Sequence, residues 1–457
     1  MAPFVGRSAE LAMLQAQWRA PGGAFVPVYG RRRIGKTELI HRFLGLHRGI
    51  LHVGKVAPAG LQLREFLEVA ARALDEPLLG ELGVDSWRKA LEAVVGRWKG
   101  PGKLVLAFDE FQWTAQASPE LPSVLQELWD REWKRSGRVM LVLCGSFIGF
   151  MEREVLGSKS PLFGRRTAQL HLQPFPFSES RAFLPKSSLE HQALAWFLTG
   201  GVAQYLASFE DGRSFRQNVE RLVLDEFAPL YREPEFLLRE ELREVGTYHA
   251  VLMAIAGGAR TPREIAQRGG VPERGLHYNL EQLVQLGYVA RRFPLTGERP
   301  RRTDVRFVLE DALLRFWFRF VFPHKSQMAQ LSPSESWERL VAPQLESWAG
   351  DGFERLCRAA LPRLLAKEGV RATVEVGAWW DRTAQVDVVG IRDDGVTELG
   401  ACKWGPVSGA SLQRELDRRV AVFPNPGKHT LRRHAFVRTW RGKVPEGLCV
   451  HRLEELA

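Results

Sequence analysis

Eight residues constrain this chain more than any others: Gly30-Arg31-Arg32-Arg33-Ile34-Gly35-Lys36-Thr37, a GxxxxGK[ST] run. Ala24 to Tyr29 ahead of it is a short apolar stretch, and Thr37 to Phe43 behind it has helical apolar spacing. The expected local structure is strand, glycine loop, helix. In such a loop the glycines let successive backbone N–H groups turn inward around phosphates, while the helix presents its positive end. A nucleotide site over Gly30–Glu38 follows, with Arg31, Arg32, Arg33, Ile34, Gly35 and Glu38 lining it. Lys36 would reach the β- and γ-phosphates of ATP, and the Thr37 hydroxyl would sit on Mg²⁺.

Leu104 to Phe108 is a second apolar run, delivering Asp109 and Glu110 at its carboxyl end. This is a Walker B arrangement: Asp109 would hold the Mg²⁺ shell, and Glu110 would orient and polarise the attacking water. Further apolar runs at Ile50–Val53 and Val139–Cys144 alternate with amphipathic stretches. The spacing predicts a doubly wound α/β domain with buried parallel strands over residues 1–180.

At 457 residues the chain is too long for one core, and about three units are expected at roughly 150 residues each. After residue 180 strands give way to helical periodicity at Ala193–Leu206 and Val219–Arg243, which predicts a helical lid over 181–245. Residues 246–330 have winged-helix order. Thr261-Pro262 caps one helix, and Val271-Pro272-Glu273 opens a second that runs to Leu286. Its outward candidates are Arg274, His277 and Tyr278. The following hairpin carries Arg291, Arg292, Arg299, Arg301 and Arg302, a set suited to phosphate contacts. Lys and Arg number 64 against 53 Asp and Glu, a net charge of +11 that favours phosphate-bearing partners, with DNA the expected one. Cys144, Cys357, Cys402 and Cys449 are too scattered for a zinc site and read as buried thiols of a cytoplasmic protein. No apolar run approaches the roughly eighteen residues of a membrane helix, so no membrane partner is expected.

The chain resembles AAA+ proteins, and among them the archaeal-type ATPase family that also occurs in bacteria. Phe4-Val5-Gly6-Arg7 is similar to the segment laid over the adenine in AAA+ proteins, which implies roles for Gly6 and Arg7. Leu143-Cys144-Gly145-Ser146 resembles a sensor 1 strand, with Ser146 bonding the γ-phosphate or lytic water. Pro161-Leu162-Phe163-Gly164-Arg165-Arg166 resembles the family's arginine-bearing motif. The resemblance implies an arginine finger at Arg165, with Arg166 as the second choice, and a homo-oligomer if the finger acts in trans. Thr199 to Leu206 is similar to the family's GGxPxYL segment, with Ala203 in place of proline. Leu313 to Phe320 resembles its aromatic box, read as core.

Residues 331–457 resemble the restriction-endonuclease-like domain that closes many family members. Asp387 and Lys403 match the Asp and Lys of a PD-(D/E)XK site, and Glu354 stands on the preceding helix. Ala401 replaces the expected Glu, Gln385 replaces an acid, Glu398 falls on the wrong strand face, and Glu415 is the nearest substitute. A degenerate domain with weak or absent cleavage is expected. The whole reads as a P-loop AAA+ core with lid, winged helix and nuclease-like α/β domain. Its expected function is ATP hydrolysis coupled to DNA binding; the alternatives are a nucleotide-gated switch acting on DNA or a protein, and an ATP-controlled nuclease.

Overall fold

The computed structural model describes residues 4–242 and 245–457, the side chain of Arg302 excepted. The chain packs as two units, one running to Phe175 and including Val202–Gln204, the other comprising Pro176–Gly201 and Tyr205 onward.

The four apolar runs of the first unit are strands β1 (Ala24–Tyr29), β2 (Gly49–Val53), β3 (Leu104–Asp109) and β4 (Val139–Gly145). A two-residue β5 (Leu170–His171) joins them, too short to register as a pattern. All pair in parallel in the order β2-β3-β4-β1-β5. Every residue of β1, β3 and β4 is buried, because helices cover both faces. One face packs Phe66, Trp87, Phe108 and Trp129; the other packs Ile34, Leu39, Phe43 and Val142. Pro27 lies mid-strand without breaking the sheet. Phe25, two residues earlier, donates its N–H to Thr167 Oγ1 on the β5 side, and β5 begins pairing only at Val28, so the N–H that proline lacks has no ladder partner to lose. Parallel neighbours end on one sheet edge, so the chain leaving β1, β3 and β4 brings Gly30, Glu110 and Ser146 together.

In the second unit, Pro262–Gly269 is a helix with a Thr261/Glu264 capping box and Gly270 at φ 62° behind it. The next helix, Glu273–Gln285, is broken at its start: Arg274 has ψ 112° and Gly275 φ 99°, so regular turns begin at Leu276. Arg274 therefore precedes the regular part of this helix and does not ride on it. Leu280 and Leu283 are buried, while Leu286 is half-buried and caps the helix end. The wing is an antiparallel pair, β6 (Val289–Arg292) with β7 (Arg306–Leu309). Phe316, Trp317, Phe318 and Phe320 are all buried, and Trp317 Nε1 donates to the Tyr231 carbonyl at 2.7 Å, so the aromatic box is core. The predicted helical run toward Arg243 ends outside the described residues; within them it divides into shorter helices, among them Glu233–Glu241.

The C-terminal sheet has the order β12-β11-β10-β9-β8, from β8 (Val374–Trp380), β9 (Gln385–Arg392), β10 (Val396–Lys403), β11 (Thr430–Val437) and β12 (Leu448–Arg452). β8, β9 and β10 are antiparallel; β10, β11 and β12 are parallel. The helices Leu345–Lys367 and Gly409–Val422 pack on it. All four cysteines are free; Cys144 and Cys357 are buried, whereas Cys402 and Cys449 are half-buried. No described helix is long and apolar enough to cross a membrane.

Candidate functional site

The loop leaving β1 closes over backbone. A Cβ at Gly30 would stand 2.4 Å from the Leu172 carbonyl oxygen, so only glycine fits. Gly35 (φ 92°) starts the helix Lys36–Leu44. Ile34 is buried, Arg31, Arg32 and Arg33 are half-buried, and Thr37 and Glu38 are exposed on the first turn. Lys36 is 5% exposed and donates Nζ to the carbonyls of Gly30 (3.0 Å) and Arg31 (2.9 Å), so the lysine folds back over its own loop. Burial lowers its pKa, opposed by Cys144, Glu110 and Asp109. An anion in the loop would compensate that burial and draw Nζ off the two carbonyls.

Thr37 Oγ1 donates to Asp109 Oδ2 at 2.5 Å. A hydroxyl and a carboxylate oxygen thus stand side by side at the helix start, a hard-oxygen pair suited to Mg²⁺, which takes one or two protein oxygens plus phosphates and waters. Glu110 follows at φ 47°, a left-handed position that turns its side chain off the strand. Its Oε2 accepts from Ser146 Oγ (2.7 Å) and from Gln112 Nε2. Gln112 is buried, and its Oε1 has no partner. Sequence reasoning missed Gln112, although its place in the first turn after Glu110 could have shown it. Cys144, read from the sequence as a buried thiol, is buried near Lys36 and Asp109, and burial pushes its pKa up.

Gly6 is exposed at φ 65°. Arg7 is buried: its Nη2 donates to the carbonyls of Ile34 (3.1 Å) and Gln173 (2.7 Å), and it lies 4.0 Å over the Phe175 ring. It braces the loop from behind. Gln204 N donates to the Arg33 carbonyl at 3.1 Å, so the segment bearing Ala203 meets the same loop. Arg165 is clasped by Asp130, with Nε 3.0 Å from both carboxylate oxygens and Nη2 2.7 Å from Oδ2, while Nη1 donates to Pro161 and Phe163. Arg166 is exposed. Nothing in the local sequence pairs Asp130 with Arg165.

On the winged helix, Arg274, His277, Tyr278, Arg299 and Arg301 are exposed. Arg291 is paired with Glu281, and Arg292 with Glu310 at 2.7 Å. The wing is therefore less cationic than its five arginines suggest, because Glu281 of the preceding helix and Glu310 just after β7 meet two of them. The Arg302 side chain lies outside the described residues.

In the C-terminal unit Ala401 is fully buried beneath Leu412 and Leu416, so apolar packing fills the place a Glu would need. Asp387 Oδ2 accepts from Cys402 N (3.0 Å) and Arg419 Nη1 (2.8 Å). Arg419 also binds Glu415, which accepts from Lys403 Nζ at 2.9 Å. Arg358 contacts Glu354 at 3.4 Å. Each carboxylate already has an internal cation. A metal ion here would have to displace Arg419, Lys403 or Arg358 from these carboxylates. Glu398 faces the opposite side of the sheet, bound to Arg392 and His434. Burial, then Asp387, raises the Glu354 pKa to about 7. The folded state therefore holds a proton that the unfolded chain gives up at lower pH, and stability falls as pH rises through that window. Glu354→Gln is expected to raise the C-terminal unfolding midpoint at about pH 8 and to leave it nearly unchanged at about pH 5, as calorimetry at the two values will show.

Residues 4–209 match the family described as an ATPase domain predominantly from Archaea. Residues 246–299 match the MarR family, and residues 317–414 match archaeal and bacterial proteins of unknown function. The uncharacterized protein MJECL04 of Methanocaldococcus jannaschii is 26% identical over 393 residues, 86% of this chain and 85% of that protein. The uncharacterized ATP-binding protein MJ0423 of the same organism is 46% identical over 41 residues, 9% of this chain and 70% of that protein. The Walker-type ATPase PABY2304 of Pyrococcus abyssi shares the fold with a TM-score of 0.51 at 17% identity, covering 69% of this chain and 96% of that one. With a P-loop core of this topology and a MarR-family match behind it, residues 4–209 form an ATPase domain of the family described as predominantly archaeal.

Proposed function

We propose that the protein hydrolyses ATP to ADP and phosphate and couples its nucleotide state to duplex DNA binding. The observation that carries this is the contact of Thr37 with Asp109, two groups from different elements, beside Lys36 and Glu110. In this reading the loop N–H groups and Lys36 bind the β- and γ-phosphates, and Mg²⁺ held near Thr37 and Asp109 supplies neutralising charge to them. Glu110 orients the attacking water. Ser146 holds Glu110 until it turns to the γ-phosphate. The exposed Arg166, or Arg165 once freed from Asp130, would complete a neighbouring subunit's site. The division into core (1–180), lid (181–245), winged helix (246–330) and nuclease-like domain (331–457) belongs to the same proposal, as does a cytoplasmic setting. DNA binding would fall to His277, Tyr278 and Arg274 at the recognition helix and to Arg299 and Arg301, with Arg291 and Arg292 first leaving their acids. ATPase rates with single-stranded, duplex and branched DNA, against Lys36→Ala as background, test the coupling; rates that DNA leaves unmoved would remove it.

One observation favours the switch reading. Glu110 Oε2 is engaged by both Ser146 and Gln112, which makes it a poorer water-polarising group until one bond breaks, and slow turnover follows. The nuclease reading is the least supported. Because Arg419 and Lys403 take up the Asp387 and Glu415 carboxylates, plasmid and linear DNA incubated with Mg²⁺ or Mn²⁺ are expected to stay intact. Cleavage that disappears in Asp387→Ala would reverse that expectation.

A further inference from the structure

The wing does not stand clear of the molecule. Leu295 N donates to the Ala378 carbonyl at 2.9 Å. Ala378 is where β8 slips register against β9, between Gly377 and Trp379. A bulged residue leaves backbone groups unspent on the ladder, and β8 is the edge strand of its sheet. The wing thus covers a point at which this edge offers a carbonyl out of register. The Leu295 side chain packs into the cluster of Trp379, Val386, Val389, Leu399 and Phe423. A Cβ on Gly297 would stand 3.5 Å from Ile391. On the returning strand, the Arg306 guanidinium lies 4.6 Å from the centre of the Trp380 ring, and its Nη1 donates to Gln385 Oε1 at 3.4 Å.

Two anchors, Leu295–Gly297 and Arg306, therefore flank the stretch that carries the exposed Arg299 and Arg301. The β8–β9 turn runs between Trp380 and Gln385, both held by Arg306. Asp381 Oδ1 stiffens it by accepting from Thr383 N (2.6 Å) and Ala384 N (2.7 Å). Arg382, at the centre of that turn, is exposed. We propose that wing and turn form one fixed basic ridge, and that Arg382 of the C-terminal sheet contacts a DNA phosphate alongside Arg299 and Arg301. The winged helix and the C-terminal domain then grip duplex DNA as a single body, which gives the degenerate sheet a role that needs no metal. Cations carried on an anchored backbone lose less freedom on contact than cations on a mobile wing, so the clasp strengthens the grip. The inference rests on the DNA-binding reading above.

The test uses the full chain and a fluorescent duplex longer than one helical turn, titrated across a salt series. Arg382→Ala is expected to weaken binding about three- to tenfold and to reduce the slope of log K against log salt by about one. Trp380→Ala loosens the clasp; it is expected to weaken binding, to make the Arg382→Ala change nearly silent in the double variant, and to expose the Leu295 amide to hydrogen exchange. If the wild-type chain binds duplex and Arg382→Ala changes neither affinity nor slope, the ridge is wrong and the DNA reading stands. If the wild-type chain binds no duplex, both fall. Tighter binding by Trp380→Ala would mean that the clasp restrains the wing, and it overturns the proposal, as would a Leu295 amide that exchanges freely in the wild-type protein.

Discussion

Glu110→Gln is expected to slow ATP turnover by about a hundred- to ten-thousandfold while nucleotide binding persists. The substitution keeps the shape of the side chain and a carbonyl oxygen for Ser146, but removes the charge that draws a proton from water. Lys36→Ala should instead lose binding and turnover together, because Lys36 is the buried cation of the loop and its charge is what an incoming phosphate would meet. Equilibrium nucleotide binding measured beside single-turnover hydrolysis separates the two variants. A Glu110→Gln protein that turns over within tenfold of wild type would hand the water-orienting role to another group, with Ser146 the first to examine.

The contrast between those two residues shows what was legible in the sequence. Loop and strand end are local patterns: Gly30 to Thr37 and Leu104 to Glu110 announce themselves because each places chemistry at a fixed offset from one element. The partner bonds are different. Thr37 meets Asp109 across 72 positions, as a shared Mg²⁺ site implies, but Arg165 meets Asp130 across 35, and that acid carries no mark of its partner. The wing shows the same limit. Its arginines could be counted from the sequence, but the pairing of two of them with Glu281 on the preceding helix and with Glu310 just after β7 could not. β11 escaped detection for a further reason: Arg432, Arg433 and His434 interrupt its apolar alternation, and they are tolerated because Glu398 on the adjacent β10 and Glu368 and Asp417 from the flanking helices receive them. Arg419 was partly legible, since it lies one helical turn beyond Glu415 on an amphipathic helix.

Glu398 sets the second large effect. It is 1% exposed and accepts from Arg392 Nη1 at 2.8 Å, His434 Nε2 at 2.7 Å and Arg432 Nη1 at 3.3 Å. His434 Nδ1 in turn lies 2.8 Å from His451 Nε2, so one carboxylate anchors a polar chain running across three adjacent strands. Burial alone would raise the Glu398 pKa, but the bonds from His434 and Arg392 more than offset it and hold the group below its ordinary value. Glu398→Ala leaves Arg392 and His434 buried without this acceptor, which should cost about 3–5 kcal/mol of C-terminal domain stability, against far less for the paired carboxylates on the solvent-facing turns. The sign of the pH dependence follows from the lowered pKa: the stabilisation is complete above the ordinary glutamate range and is lost as pH falls through the folded value. Denaturation followed by hydrogen exchange in β10 and β11 should therefore show a wide gap between wild type and Glu398→Ala at neutral pH that narrows in acid. A gap of constant width would mean that Glu398 acts by filling space, in which case the isosteric Glu398→Gln should restore nearly all of the loss.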